Sequence, residues 1–492
     1  MALPSFRTVD PGRERFVRLS FEDCDETAPL PGPGEGLTSR RVWSREDWFI
    51  STTQRFPGPP SIMAVAEGGP VLGIGIDWAE EFHDIALGTL EKGVIEQFRI
   101  DHGPAGVAAL IERALRLEPD PAEVRVVLET RHGLLVEALV DAGFTVVPVN
   151  PDLVARRRGP ARKKDDAEDA RICCLLALDR HAALKTLIPH GQIGGELRAI
   201  GRDDERAARD QRRLLNRLRA DLQTTYPAAL TLAGKDLGAP TVLRLPQQWP
   251  TQPELAQASR DELVAFARVG RHGWPETFAD RVTAALAAPS LPTRDYLVRA
   301  KAAGIRLAAV QLLALHEARR GWEARMAELL LGGPRTGRDH TVKDPDPGKA
   351  FPGGEIYLSF PGLGDRLAAR VAGEIGEHIT QFDSPAGLQC YAGSAPVTRR
   401  SGKSDFVVAR RLAHNHYLGA AVHQWAFCSL TKSGWAREFY DSKIAAKKSH
   451  HAALRALSNR WLEILWHCLT KGILYDEAVH VANRNRALGH AA

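Results

Sequence analysis

Residues 71–100 decide most of what the first half of this chain can become. VLGIGIDWA (71–79) is an apolar run that ends on a charge. FHDIALGTL (82–90) and GVIEQFRI (93–100) follow, with only short polar turns between them. Apolar runs of this length bounded by turns read as strands, and three in succession make a meander. The pattern then changes. GPAGVAALIERALRL (103–117) spaces its apolar residues as a helix does, and VRVVLET (124–130) is a fourth strand. HGLLVEALVDAG (132–143) is a helix stopped by Gly143, FTVVPVN (144–150) is a fifth strand, and another helix starts near residue 165. A meander followed by alternating units implies an α/β domain, a mixed sheet with helices on its faces.

Charge is unevenly placed on that frame. Asp77 closes the first strand after a run of apolar residues and glycines. Glu129 closes the fourth, which should lie beside the first. KKDDAEDARI (163–172) gathers acids between two lysines and an apolar helix. Asp166 and Asp169 stand three apart on that helix and share a face. The face continues through Cys173 and Leu176, so it should turn toward the sheet. Spacing alone leaves Asp165 and Glu168 as rivals, and Asp84 as a rival to Asp77. A capped helix start also explains Asp166 by itself. Four carboxylates that converge repel each other unless cations or protons neutralise them. Oxygen ligands suit Mg²⁺, and a two-metal site suits phosphodiester chemistry. Asp77, Glu129, Asp166 and Asp169 are therefore the candidate metal ligands. Beside them ARRRGPARKK (155–164), read as a basic loop, offers Arg156, Arg157, Arg158, Lys163 and Lys164 to nucleic-acid phosphates. A solvated loop is the plainer reading.

A chain of 492 residues exceeds one ordinary domain. Its 65 Lys+Arg against 60 Asp+Glu leave a net charge of +5, too mild to name a nucleic-acid partner by itself. No apolar run is long enough to span a bilayer, which argues against a membrane protein. The six cysteines form no CxxC pair and read as reduced thiols in a cytoplasmic protein. Residues 1–69 are rich in Pro and Gly and are expected to be a disordered extension, or one mis-called ahead of a true start at Met63. Residues 70–190 form the α/β domain. Residues 191–332 carry two long helical patterns, 195–230 and 294–331, expected as an antiparallel coiled-coil arm or a dimer contact, with a helical insertion at 231–293. The arginines from Arg206 to Arg219 are either a solvated rim or a nucleic-acid contact. A linker (333–354) leads to a mainly α domain (355–475) and a tail (476–492). In LSFPGLGDRLAARVAGEIG (358–376) one helix should end near Phe360 and another start after Gly364. Gly362 and Gly364 would let backbone N–H groups approach a phosphate, as in a helix-hairpin-helix; plain packing of two helices is the alternative. His414, His416 and His423 are spaced for surface or packing roles rather than for a metal.

Several of these pieces occur together in one known family. GIDWA with Asp77, VLET with Glu129 and KDDAEDA with Asp166 and Asp169 are followed by FPGLGDRLAARVAGEIG, FDSPAGLQCYAGSAP and RRSGK. The combination resembles the insertion sequence 110 family of transposases, the bridge-RNA-guided recombinases, over about residues 70–190 and 355–470. The order of strands and helices also matches the ribonuclease H-like fold, here RuvC-like. The resemblance implies that Asp77, Glu129, Asp166 and Asp169 bind Mg²⁺ and that Ser401 is a nucleophile. Arg399, Arg400 and Lys403 beside Ser401 would then neutralise a scissile phosphate. It further implies donor and target DNA, a structured guide RNA from the element, a homo-oligomer (dimer or tetramer) and a nucleoid-associated bacterial protein. The alternative is a structure-specific nuclease that uses the same acids, hydrolyses with water and leaves Ser401 idle.

Overall fold

The computed structural model describes residues 72–158, 165–179, 184–336, 341–342, 345–401, 404–408, 411 and 413–489. The expectations for residues 1–69 and for Met63 as a start lie outside the described residues.

The meander forms as read. β1 (Leu72–Trp78), β2 (Phe82–Thr89) and β3 (Gly93–Asp101) pair antiparallel. β4 (Val124–Leu128) and β5 (Thr145–Pro148) add on parallel, so the sheet runs β3-β2-β1-β4-β5 and β4 does lie beside β1. α1 (Pro104–Leu117) and α2 (Leu134–Asp141) cover one face. There Leu72, Ile74 and Ile76 of β1 meet Leu110 and Ala114 of α1 and Leu135 and Leu139 of α2. α3 (Pro151–Arg158) and α4 (Asp166–Leu178) cover the other, where Val127 and Val147 meet Val154, Ile172 and Cys173. α3 corrects the sequence reading, since residues 155–158 belong to a helix seated by buried Val154 rather than to a basic loop.

α4 lies unusually close to the sheet, and glycine is why. A Cβ on Gly75 would stand 2.0 Å from the Ala170 carbonyl oxygen and 2.1 Å from the Cys174 nitrogen. The pleat puts Gly73, Gly75 and Asp77 on one face of β1. The same bare face that admits the helix therefore delivers Asp77 to the helix's first turns.

Beyond residue 190 the described residues are mostly helical. α5 (Gln192–Thr225) and α11 (Asp295–Leu331) realise the two long patterns. They run antiparallel, tied by Arg325–Glu196 at 2.8 Å, Arg319–Asp204 at 2.8 Å and Lys301–Asp221 at 2.7 Å. Between them α6 to α10 (Pro227–Ala233, Pro240–Gln248, Gln252–Ala256, Arg260–Val269 and Pro275–Ala287) form a satellite core. The remainder is α12 (Gly354–Leu358), α13 (Asp365–Ile375), α14 (Pro385–Tyr391), α15 (His416–Ser429), α16 (Gly434–Ala445), α17 (His450–Lys471) and α18 (Glu477–Gly489). These enclose a core centred on Trp425, Trp461 and Phe360. Two small ladders complete the chain, β6 (Arg335–Thr336) with β7 (Thr341–Val342), and β8 (Val397–Ser401) with β9 (Ser404–Val408). The region read as a linker contributes buried Phe351 to the core. The region read as a tail is largely α18, whose Glu477 accepts from the Gly434 N–H at 3.0 Å.

Candidate active site

Register brings the acids of the sheet together. β1 and β4 pair Gly75 with Val127 and Ile76 with Leu128, so one further step sets Glu129 beside Asp77. On the other flank Asp77 stands opposite Asp84. From above, α4 lowers Asp169, which is 2% exposed. Cys173, one turn further along α4, reports the convergence. Its thiol is pushed far above the usual range by burial and then by the charges of Glu129, Asp77 and Asp169 around it. Burial also pushes Cys174 up, to about 12, so neither thiol is a nucleophile at neutral pH. Asp166 sits one turn before Asp169, is exposed, and lies near the Arg99 guanidinium.

The rival acids have local roles. Asp165 is the α4 N-cap and accepts from the Ala167 N–H. Glu168 is bound at two points by Arg171, at 2.6 and 2.9 Å. Asp84 is held at two points by Arg99, at 3.1 and 2.8 Å. The β1–β2 hairpin puts Asp84, read from the sequence as a rival to Asp77, on the same face as Asp77. That face was legible from the short turn between the two runs.

The basic segment separates into unlike parts. Arg156 is exposed. Arg157 pairs with Asp179 at 3.2 Å. Arg158 is turned inward, with its Nε 2.5 Å from Asp169. In this conformation the buried Asp169 carboxylate, rather than solvent, faces Arg158. Lys163 and Lys164 lie outside the described residues.

The donors at this sheet end are carboxylate oxygens, the set that a hard divalent cation takes. Among the described residues, no group of three or more His, Cys, Asp or Glu side chains is arranged to hold an ion as it stands.

The second half places its candidates differently. The backbone of Ser401 closes β8 opposite Ser404, and Arg399 and Arg400 precede it in the same strand. Lys403 lies outside the described residues. The PGLG turn joins α12 to α13, but Gly362 faces inward. At φ +85° its absent Cβ would meet the Ser429 nitrogen at 2.7 Å, so packing against the end of α15 requires this glycine. α13 is buried from Leu367 to Ile375, and Gly364 caps its exposed start. Plain helix packing thus accounts for Gly362 without a phosphate.

The halves also touch near the acids, which sequence reasoning missed. Arg131, two residues after Glu129, lies 5.7 Å from the centre of the Tyr391 ring. The Tyr391 hydroxyl accepts from Asn415 at 2.8 Å, and Asn415 caps α15. No local pattern marks Arg131, since its partner is distant in sequence.

Two family profiles match the chain. A transposase profile described as DEDD_Tnp_IS110 matches residues 74–227, and one for the transposases of the IS116/IS110/IS902 family matches residues 354–441. A Streptomyces coelicolor protein named for the mini-circle transposase of IS117 is 32% identical over 412 residues, 82% of this chain and 95% of its own length. The chain belongs to the IS110 family of transposases. Other insertion-element proteins are similar along much of this IS110-family chain. A 43.6 kDa protein of IS110 from S. coelicolor is 28% identical over 68% of this chain and 78% of its own length. A 42 kDa protein of IS900 from Mycobacterium paratuberculosis is 27% identical over 76% of this chain and 90% of its own length. In this transposase the four candidate acids fall within the first matched region and Ser401 within the second. No helix among the described residues is long and apolar enough to cross a membrane.

Proposed function

We propose that this transposase cuts and rejoins the DNA strands of an insertion sequence, using a metal-binding acid cluster on a ribonuclease H-like domain and a serine nucleophile on the helical half. The observation that carries the reading is the β1–β4 register that sets Glu129 beside Asp77, with buried Asp169 of α4 next to them. Like charges gathered at that depth are costly unless a cation joins them. Asp77, Glu129 and Asp169 would hold Mg²⁺, with exposed Asp166 at the rim. Bound there, divalent cations would supply positive charge to a phosphodiester undergoing displacement.

The chain's own residues carry the rest. Ser401 ends a strand at a hairpin tip, followed in sequence by Gly402 and Lys403. Its Oγ would attack the scissile phosphorus, forming a phosphoserine ester while the bond to the departing sugar oxygen breaks. The serine proton ends on that oxygen. Attack by a sugar hydroxyl of the exchanged strand reverses the step and frees Ser401, so the DNA is resealed without hydrolysis. Arg399, Arg400 and Lys403 are the candidates to neutralise the phosphate. Acids and serine lie on different halves of the chain, which favours a composite site shared by protomers of a dimer or tetramer. Donor and target DNA would be recognised through a structured RNA from the element, which leaves the protein to grip backbones.

The test is a denaturing gel of wild type and Ser401→Ala with end-labelled element DNA, cognate RNA and Mg²⁺. A protease-sensitive labelled adduct is expected with wild type only. Equal cleavage by both proteins without an adduct would replace this reading by hydrolysis on the acids alone.

A further inference from the structure

Arg158 makes a contact that the proposed chemistry does not use. It is the last residue of α3, a helix anchored by buried Val154 in the core beneath α4. Its side chain is 18% exposed and that of Asp169 is 3% exposed, with Nε and carboxylate 2.5 Å apart. A carboxylate so deep is costly to keep ionised without a countercharge. Arginine keeps its proton, so it cannot adapt by becoming neutral; it can only stay or move.

Two further observations bear on which it does. The other pair on this face, Arg99 with Asp84, keeps its guanidinium side chain 54% exposed and bound at two points, as a surface pair does. Arg158 instead points into the cluster. And the acids are not arranged to hold an ion as they stand, although Asp169 lies among them. In this arrangement a guanidinium stands against one carboxylate of the group.

We propose that Arg158 is the resident counter-ion of Asp169, which holds the carboxylate in the acid row until a divalent cation takes its place and releases the guanidinium toward a DNA phosphate. This rests on the reading above that the row binds such a cation. The two states exchange one positive charge for another at Asp169, so the carboxylate is never left buried alone. A planar five-donor fork suits a phosphate as well as it suits a carboxylate, so a released Arg158 has a partner of the right shape once DNA is present. Cation and DNA would then bind cooperatively, because each draws Arg158 away from the state that the other disfavours.

The experiment titrates full-length wild type, Arg158→Gln, Arg158→Lys and Asp77→Asn with Mn²⁺ alone by calorimetry. Duplex DNA binding is then followed by anisotropy with and without Ca²⁺. Arg158→Gln should bind Mn²⁺ roughly tenfold more tightly than wild type, as expected when a competing interaction is removed. Arg158→Lys, which restores the charge, should stay close to wild type. Ca²⁺ should strengthen DNA binding by wild type several-fold more than binding by Arg158→Gln, which keeps only the cation's own attraction for phosphate. Equal Mn²⁺ affinity of Arg158→Gln and wild type, with binding lost in Asp77→Asn, would overturn the inference and leave the metal reading standing. Absence of Mn²⁺ binding in every variant would remove the metal reading and the inference together. Should Arg158→Gln not fold, crystals of wild type with Mn²⁺ decide. Separation of Arg158 from Asp169 is expected, and an unchanged pair beside an ion on Asp77 and Glu129 would overturn it.

Discussion

Buried carboxylates occur in both halves of the chain, and their surroundings differ. In the helical half Asp204 is fully buried and lies within 4 Å of the guanidiniums of Arg319, Arg366 and Arg370. Glu374, 3% exposed, is met by Arg198 and Arg202 and accepts from Asn415 at 2.7 Å. The Glu374 carboxyl is held below its usual range, although its burial works in the opposite direction, by hydrogen bonds from Arg202 and Asn415 and by the neighbouring guanidiniums. Guanidiniums outnumber carboxylates there, and the network clamps α5, α11, α13 and α15 together. At the sheet end the ratio reverses. Asp77, Glu129 and Asp169 crowd one thiol, with Asp84 on the same face. The first arrangement is a fastening, complete within the protein. The second concentrates one sign of charge, as a cation site does.

Substitutions can break that comparison. The largest expected effect is on chemistry. Asp77→Asn should lower strand cleavage by roughly a thousandfold or more, the several kcal/mol of charge stabilisation that a metal supplies. Its unfolding free energy in urea should change by no more than about 1 kcal/mol, because a crowd of like charges loses one member. Arg370→Met should do the reverse. Loss of the Arg370 bond to Asp204, with Arg319 and Arg366 still in place, should cost about 1.5–3 kcal/mol, read as a shifted urea midpoint. If both variants lost the same stability, the distinction between fastening and site would fail.

Gly75→Ala sharpens the comparison from the packing side. Its Cβ cannot fit 2.0 Å from the Ala170 oxygen, so α4 must retreat, at a cost of about 1–3 kcal/mol. Asp169 would move away from Asp77 with it. Cleavage should therefore fall together with stability, where Gly362→Ala should lower stability and spare the acids' affinity for Mn²⁺. The smallest effect is on pH dependence. His190 and His423 are both held down to about 4 from the ordinary 6.5, first by burial and next by a neighbouring side chain, Arg198 for His190 and His451 for His423. The unfolded chain then binds more protons than the folded one between those values. Their contribution is complete above about pH 6.5 and is lost progressively as pH falls toward 4. Urea midpoints at pH 7, 5.5 and 4.5 should fall in that order, and His423→Gln should flatten the slope.

Much of the frame was legible before any tertiary contact was known. Apolar runs bounded by turns gave away β1 to β5, and the short turns among the first three showed which pair antiparallel. Period-3.6 stripes marked α5 and α11 to within a few residues at most ends; the sequence pattern 195–230 overran α5 because Pro227 opens α6 rather than closing α5. α3 was missed because arginines filled its last turn and hid its single buried residue, Val154. The β8–β9 hairpin was not read as strands, since VTRRS offers Val397 alone as an apolar residue and SDFVV gathers its apolar residues at one end.

By itself, then, the sequence determined which residues could bear the chemistry and the order of the elements that carry them, because periodicity and turn chemistry act between neighbours. Tertiary structure alone decided who meets whom. The β1–β4 register put Glu129 beside Asp77, and the bare glycine face of β1 let α4 bring Asp169 to them. It set Arg158 against Asp169 and packed Gly362 of the PGLG turn against α15. Each of these depends on distances between segments far apart in the chain, set by how closely two surfaces can approach, which no local pattern encodes.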